Sequence, residues 1–303
     1  MPIVPIAPPQ PVPVSGGFDY VTVDAVHRRV YAAHGGYRSL LVLDADSGSI
    51  VGQVRVGPMH GVAYDPASGT VYTGNGDDKT VSEIDPKTLK VTRTVEVDGI
   101  IDAIAYDAAN GHIYADEDDG TRIFVIDAKT MKQIGVVTLP GHKPEYLAVD
   151  PQTHDVYQNI ANTAELVAVD GKTLKVKQAV KTPEMTNNHP LQYDAGFKQI
   201  IIAGNGVMSV YSQDLKKKYQ TDAPNGIDQC DLDQASHMLA CASRGTVTVF
   251  KTSASGPPVK VADFMVAPGV HTLAIDAKTQ NIWAVWASPK GEGDFVQRLS
   301  LKP

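Results

Sequence analysis

The chain has 303 residues, 43% of them hydrophobic, enough for one large core or two ordinary ones. Its formal charge of −7 excludes a protein that grips nucleic acid mainly through clustered Lys and Arg on phosphates. No apolar run approaches the ~18 residues that cross a bilayer, so neither nucleic acid nor a membrane is an expected partner.

Residues 1–14 are rich in proline (Pro2, Pro5, Pro8, Pro9, Pro11, Pro13). A tail is the simple reading, yet Val12-Pro13-Val14-Ser15-Gly16-Gly17 parallels Val54-Arg55-Val56-Gly57-Pro58, which leads into a later repeat. Proline is tolerated on an edge strand, where its missing N–H faces outward. The segment is therefore a candidate outermost strand, completing a sheet whose other strands lie at the far end of the chain. The start has neither the basic nor the apolar region of a signal peptide. The expectation is a cytoplasmic protein or one whose leader has been removed, with the periplasm or exterior favoured.

A phrase then recurs. Gly57-Pro58-Met59-His60-Gly61-Val62-Ala63-Tyr64-Asp65, followed by Val71-Tyr72-Thr73-Gly74-Asn75, reads as loop, strand, turn and strand. Copies aligned on the Asp that ends the first strand occur at Tyr20–Asp24, Ala103–Asp107, Tyr146–Asp150, Pro190–Asp194, Gly226–Asp233 and Thr272–Asp276. A third strand follows, ending in Asp with Thr or Ser three residues on: Asp44 and Ser47, Asp85 and Thr88, Asp127 and Thr130, Asp170 and Thr173. Those side chains bond nearby backbone N–H groups and close a turn, a structural role despite the charge. A fourth strand such as Val91-Thr92-Arg93-Thr94-Val95 leads to the next copy.

Four short strands every 39 to 44 residues, seven times over, is the spacing of propeller blades. The predicted fold is all-β: one domain over 1–303, a seven-bladed β-propeller of four-stranded blades. The last copy lacks a fourth strand, which the N-terminal segment would supply. The motifs Pro58-x-x-Gly61-Val62-Ala63, Val71-Tyr72-Thr73-x-Asn75 and Val81-x-x-Ile84-Asp85-x-x-Thr88 resemble the YncE-like (YVTN-repeat) seven-bladed propellers. That resemblance implies the fold and leaves the function open, because such propellers host many roles. A His in the loop of His60 is common in that family, whereas Asp102, Glu145 and Asp228 in the same column depart from its usual small or aromatic choices.

The residue before each inner strand is in turn Asp19, His60, Asp102, Glu145, His189, Asp228 and His271. All seven ionise, and in a propeller they would form one belt around the mouth of the central channel. With blades about 51° apart, the three histidines would approach the axis from three sides. His60, His189 and His271 are thus candidate ligands for one divalent transition metal ion, for which neutral imidazoles suit Zn, Cu, Fe or Ni. Asp19, Asp102, Glu145 and Asp228 are candidate catalytic bases or outer partners of the ligands. The competing expectation is charge pairing: His60 with Asp19 or Asp102, His189 with Glu145 or Asp228, His271 with Asp228 or Asp19. Among the second-strand exits, His34, Glu117, Arg244 and Trp286 are candidate pocket residues, while Asn75 reads as a turn residue. Tyr64, Tyr106 and Tyr193 read as blade-packing residues.

Cys230 and Cys241 flank a predicted hairpin one residue out of opposition, so a disulfide or two reduced thiols remain open. Lys216-Lys217-Lys218 reads as a solvated turn. The expected function is a monomeric metalloenzyme acting on a small molecule by hydrolysis or elimination, or by oxidation with Fe or Cu. The alternative is a non-catalytic binding propeller for a protein, peptide or metal ion.

Overall fold

In the computed structural model, residues 3–301 are described; Met1 and Pro2 of the proline-rich segment lie outside the described residues, as do the last two. Seven antiparallel sheets carry the chain, with one short 3-10 turn, Gly35–Tyr37, as the only helix among the described residues. Blade 1 comprises Val21–Asp24, Arg29–His34, Ser39–Asp44 and Ile50–Arg55. Blade 2 comprises Met59–Tyr64, Val71–Asn75, Thr80–Asp85 and Lys90–Glu96. Blades 3 to 6 begin at inner strands Ile101–Asp107, Pro144–Val149, Leu191–Asp194 and Ile227–Asp233. Blade 7 has inner strand Thr272–Asp276, then Asn281–Ala287 and Asp294–Leu301. Each inner strand packs beside the next, and that of blade 7 returns to that of blade 1.

The N-terminal segment closes the ring as two short strands rather than one. Ile3–Pro5 and Gln10–Val12 both pair with Asp294–Leu301, Val4 opposite Ser300 and Gln10 opposite Val296. Both Pro5 and Pro11 fit there because an outermost strand bonds on one edge only.

Stacking blades face to face explains the hydrophobic pattern. Strands in the middle of a blade are covered on both sides, so Val30, Tyr31, Ala32 and Ala33 are all buried instead of alternating. Fourth strands face solvent on one side, and Thr92–Glu96 alternates accordingly. Trp283 packs with Leu41, Leu43 and Phe18 where blade 7 meets blade 1. At ~1.5–3 kcal/mol per fully buried large apolar side chain, these faces dominate the stability.

The Asp-containing turns act as the sequence suggests. The Oδ1 atoms of Asp85 and Asp170 accept the backbone N–H of Thr88 (2.9 Å) and Thr173 (2.8 Å). On the same face a second device joins neighbouring blades. The left-handed residue of a first turn reaches the Asp that ends the previous inner strand: Arg28 to Asp276, His154 to Asp107, His237 to Asp194 and Gln280 to Asp233.

Cys230 and Cys241 stand directly opposite each other and form a disulfide. The one-residue offset expected from the sequence is corrected by a bulge between Ile227 and Gln229, which shifts the register by one. Closing so short a loop is worth roughly 2–3 kcal/mol through the unfolded chain. Urea unfolding of a Cys230→Ser, Cys241→Ser double variant should show a loss of about that size, matched by reduced wild type. An unchanged midpoint would show that the crosslink adds no stability.

Candidate functional site

The belt residues reach the channel mouth by two local devices. In blades 2, 3, 4 and 6 the register slips between Met59 and Val62, Ile101 and Ile104, Pro144 and Leu147, and Ile227 and Gln229. Each slip is a bulge containing the belt residue: His60, Asp102, Glu145 or Asp228. A bulge leaves one residue out of the ladder and re-aims its side chain. In blades 1, 5 and 7 the belt residue precedes the strand. Asp19 and His189 are anchored there by N–H bonds to the carbonyls of Ala33 (2.9 Å) and Ala203 (3.1 Å).

Around the ring the side chains pair. His60 Nδ1 lies 2.5 Å from Asp19 Oδ2 and 3.8 Å from Asp102 Oδ1. His189 Nε2 lies 2.8 Å from Glu145 Oε2 and 3.4 Å from Asp228 Oδ1. His271 Nδ1 lies 2.7 Å from Asp228 Oδ2. The three histidines thus turn onto separate carboxylates rather than onto one point on the axis. Among the described residues, the group whose ligand atoms all lie within 4.8 Å of one another is Asp19, His60 and Asp102. It brings together one predicted ligand and two predicted bases, and it leaves His189 and His271 outside.

The order of the belt has an arithmetic consequence. A closed ring of seven cannot alternate acid and base throughout, so at least one pair of neighbours must be alike. Here it is one pair, Asp102 and Glu145. Lys143 Nζ stands 3.4 Å from Glu145 Oε1 at this junction. Beneath it, buried Asp116 accepts N–H bonds from Ala103 (2.7 Å) and Gln158 (3.0 Å). Burial, then the charges of Asp116, Asp19 and Glu145, push the Asp102 carboxyl well above the usual carboxylate range. Asp228, between two histidines, goes the other way: burial would raise it, but the bond from His271 and both imidazolium charges hold it low.

Several supports fix this geometry. Asn159 Nδ2 donates to the carbonyls of His189 (3.2 Å) and Pro190 (2.9 Å). Gln229 accepts from Thr272 Oγ1 at 2.5 Å and faces Asp19 Oδ1 at 3.5 Å, tying blade 6 to blades 7 and 1. Below the belt, Tyr20 Oη crosses from blade 1 to donate to the Glu145 carbonyl (2.9 Å), with its ring 5.5 Å from that of Tyr146. Tyr20 thus spans the channel from the blade 1 side to blade 4.

The structure places the four predicted pocket residues away from the belt pocket, each in its own setting. His34 is fully buried; its Nε2 donates to Asp294 Oδ2 at 2.6 Å and its ring stacks on Phe18 at 4.5 Å. The same Asp294 oxygen accepts the N–H groups of Gly16 and Gly17, so His34 braces a loop instead of lining a cavity. Glu117 is bound to Arg122 (2.9 Å to Nε) and bridges its own turn. Trp286 stacks on Phe295 and walls a separate cavity with Pro9 and Pro268. Arg244 is exposed in a left-handed turn, beside Gly226. Asn75 is internal, bonded to Thr80 and Ser82 as a turn residue.

The pocket at the belt is instead lined by Gly16, Gly17, Gly36, Pro58, Asp19 and His60, with a volume of about 320 Å³. Two glycine pairs make it possible. A Cβ on Gly36 would lie 2.0 Å from the Gly16 carbonyl oxygen, so only bare backbones can cross this closely. The sequence signal was there in Gly16-Gly17 and Gly35-Gly36, adjacent to a belt residue and to His34.

No protein-family model matches this chain, and no curated protein matches it in sequence. Among solved structures it is similar to a chain of Kuenenia stuttgartiensis hydrazine synthase. The TM-score is 0.80 over 95% of this chain and 96% of that one, at 15% identity. The chain is a seven-bladed propeller. At that identity the likeness carries the fold and none of the chemistry.

His189 gives the mouth a pH signature. Burial pushes its pKa down, but the bond to Glu145 and the charge of Asp228 outweigh it and hold the value at about 9. An imidazole raised above its unfolded value of ~6.5 stabilises the fold fully below that pH, and the gain is lost as pH rises through about 9. The stability difference between wild type and His189→Gln should therefore shrink by on the order of 2–3 kcal/mol from pH 6 to pH 9.5 in urea unfolding. A difference independent of pH would rule out a charged His189.

Proposed function

We propose that the mouth is a divalent-metal site centred on Asp19, His60 and Asp102, serving chemistry on a small molecule held in the adjoining pocket. The observation that carries this reading is the convergence of those three ligand atoms within 4.8 Å of one another. One imidazole and two carboxylates make a mixed donor set that suits zinc, iron or manganese. The acid–acid junction of Asp102 and Glu145 supports it: Lys143 reaches Glu145, while Asp102 has only the longer 3.8 Å approach of His60, and a bound ion offsets its charge. A three-histidine ion would need His189 and His271 to leave their carboxylate partners.

When bound, such an ion polarises a carbonyl or acidifies water, which makes hydrolysis or elimination the favoured reaction class. Glu145 and Asp228 are the neighbouring bases, each oriented by a histidine. With iron or copper, oxidative chemistry takes that place. Kinship with YncE-like propellers rests on the repeat residues around Pro58, Tyr72 and Asp85. The disulfide supports an oxidising compartment, such as the periplasm or exterior.

A second reading is favoured by the histidines themselves, all three of which have a carboxylate partner: a metal-free, charge-paired rim on a non-catalytic binding platform. Elemental analysis of protein purified without added metal separates the two. The metal reading expects about one ion per chain, lost in His60→Ala and in Asp102→Asn and retained in His271→Ala. Zinc or manganese at ~100 times Kd should then stabilise chelated wild type by ~2.7 kcal/mol. Metal-free protein whose melting temperature ignores both chelator and added ions would favour the second reading.

A further inference from the structure

A second cavity, of about 230 Å³, is lined by the inner strands and shares no lining residue with the pocket at the belt. Its lining includes the tyrosines Tyr20, Tyr64, Tyr106 and Tyr146, together with Gln192 and Asp231. Three of these, Tyr64, Tyr106 and Tyr146, are only partly buried; they line this space as well as packing between blades. Tyr193, by contrast, is buried and bonded to Asp150. We propose that this cavity is a binding site for a small organic ammonium ion.

The argument starts from Asp231, on the inner strand of blade 6. Its Oδ1 accepts the N–H of Leu232 (3.0 Å) and its Oδ2 that of Ile275 (2.7 Å). Among the described residues it is in no ion pair with Lys, Arg or His. Burial raises its pKa to about 6, so at neutral pH it is still ionised and stands in the channel without a counter-ion. Asp231 is half-buried and opens onto the cavity, so a cation that entered there would meet a carboxylate already stripped of part of its water.

The walls decide which cation fits. Every inner strand is the last strand of its sheet, so its free edge of N–H and C=O groups faces the axis. Those carbonyls accept from ammonium N–H groups, and tyrosine faces attract a diffuse positive charge. A divalent metal calls for several carboxylate, imidazole or thiolate ligands, whereas this lining offers one carboxylate and no His or Cys; an anion is repelled by that carboxylate. The Tyr20 hydroxyl bonded to the Glu145 carbonyl, with the Tyr146 ring alongside, holds two of the lining tyrosines in place.

Calorimetric titration of chelator-treated protein with methylammonium and tetramethylammonium chlorides, at constant ionic strength, tests the assignment without involving the metal site. Saturable binding of at least one of them is expected, weakened tenfold or more in Asp231→Asn and several-fold in Tyr64→Leu, and not displaced by equal potassium chloride. The tyrosine variant leaves the carboxylate intact and serves if the first does not fold. No saturable binding to wild type, equal binding to both variants, or equal competition by potassium would each overturn it. Failure here leaves the metal reading of the mouth untouched, since the chelated mouth takes no part.

Discussion

Ring closure is the constraint on which the molecule depends. A single four-stranded blade has two apolar faces and cannot bury either alone, so each blade is stable only between two others. The first and last blades meet this need because Ile3–Pro5 and Gln10–Val12 complete the sheet of blade 7 by pairing with its third strand, Asp294–Leu301. Once the ring is shut, the inner edges of seven strands converge on one axis. Everything functional in the chain follows from that convergence, since it brings together residues some forty positions apart.

Convergence also makes the electrostatics of the mouth a collective property. His60, His189 and His271 would each be unremarkable histidines on an isolated blade, and their carboxylate partners come from neighbouring blades. Raised imidazole pKa values at His60 and His271 arise mainly from the bonds to Asp19 and Asp228. The carboxylates diverge by position alone: Asp228 is held low between two histidines, and Asp102 is pushed high beside other acids. One residue type thus has two protonation behaviours within one belt, and an odd blade number makes at least one junction of like residues unavoidable.

Much of this was legible in the sequence because it is written in turn chemistry. Asp85 with Thr88 and Asp170 with Thr173 mark the blade period without any knowledge of packing, and the belt column follows by counting back from each strand end. What counting could not provide was the direction of a side chain. The bulges at His60, Asp102, Glu145 and Asp228 decide that direction, and a bulge has no signature in a strand of ordinary composition. The same limit misplaced Cys230 by one residue. His34 misled for a different reason: its partner, Asp294, lies 260 residues away and is brought close only by closure. The glycine doublets beside the pocket were visible as a signal, but their meaning, two backbones crossing, comes only with the fold.

The far face holds a feature with its own consequence. Arg28 in blade 1 donates to Asp276 in blade 7 at 2.7 Å, across the seam where the chain begins and ends. Related links, from His154, His237 and Gln280, join blades in the interior of the chain. The seam is thus fastened like the interior junctions, by a side chain as well as by the strands that close blade 7. A circularly permuted version opened between blades 3 and 4 would therefore inherit an intact wheel.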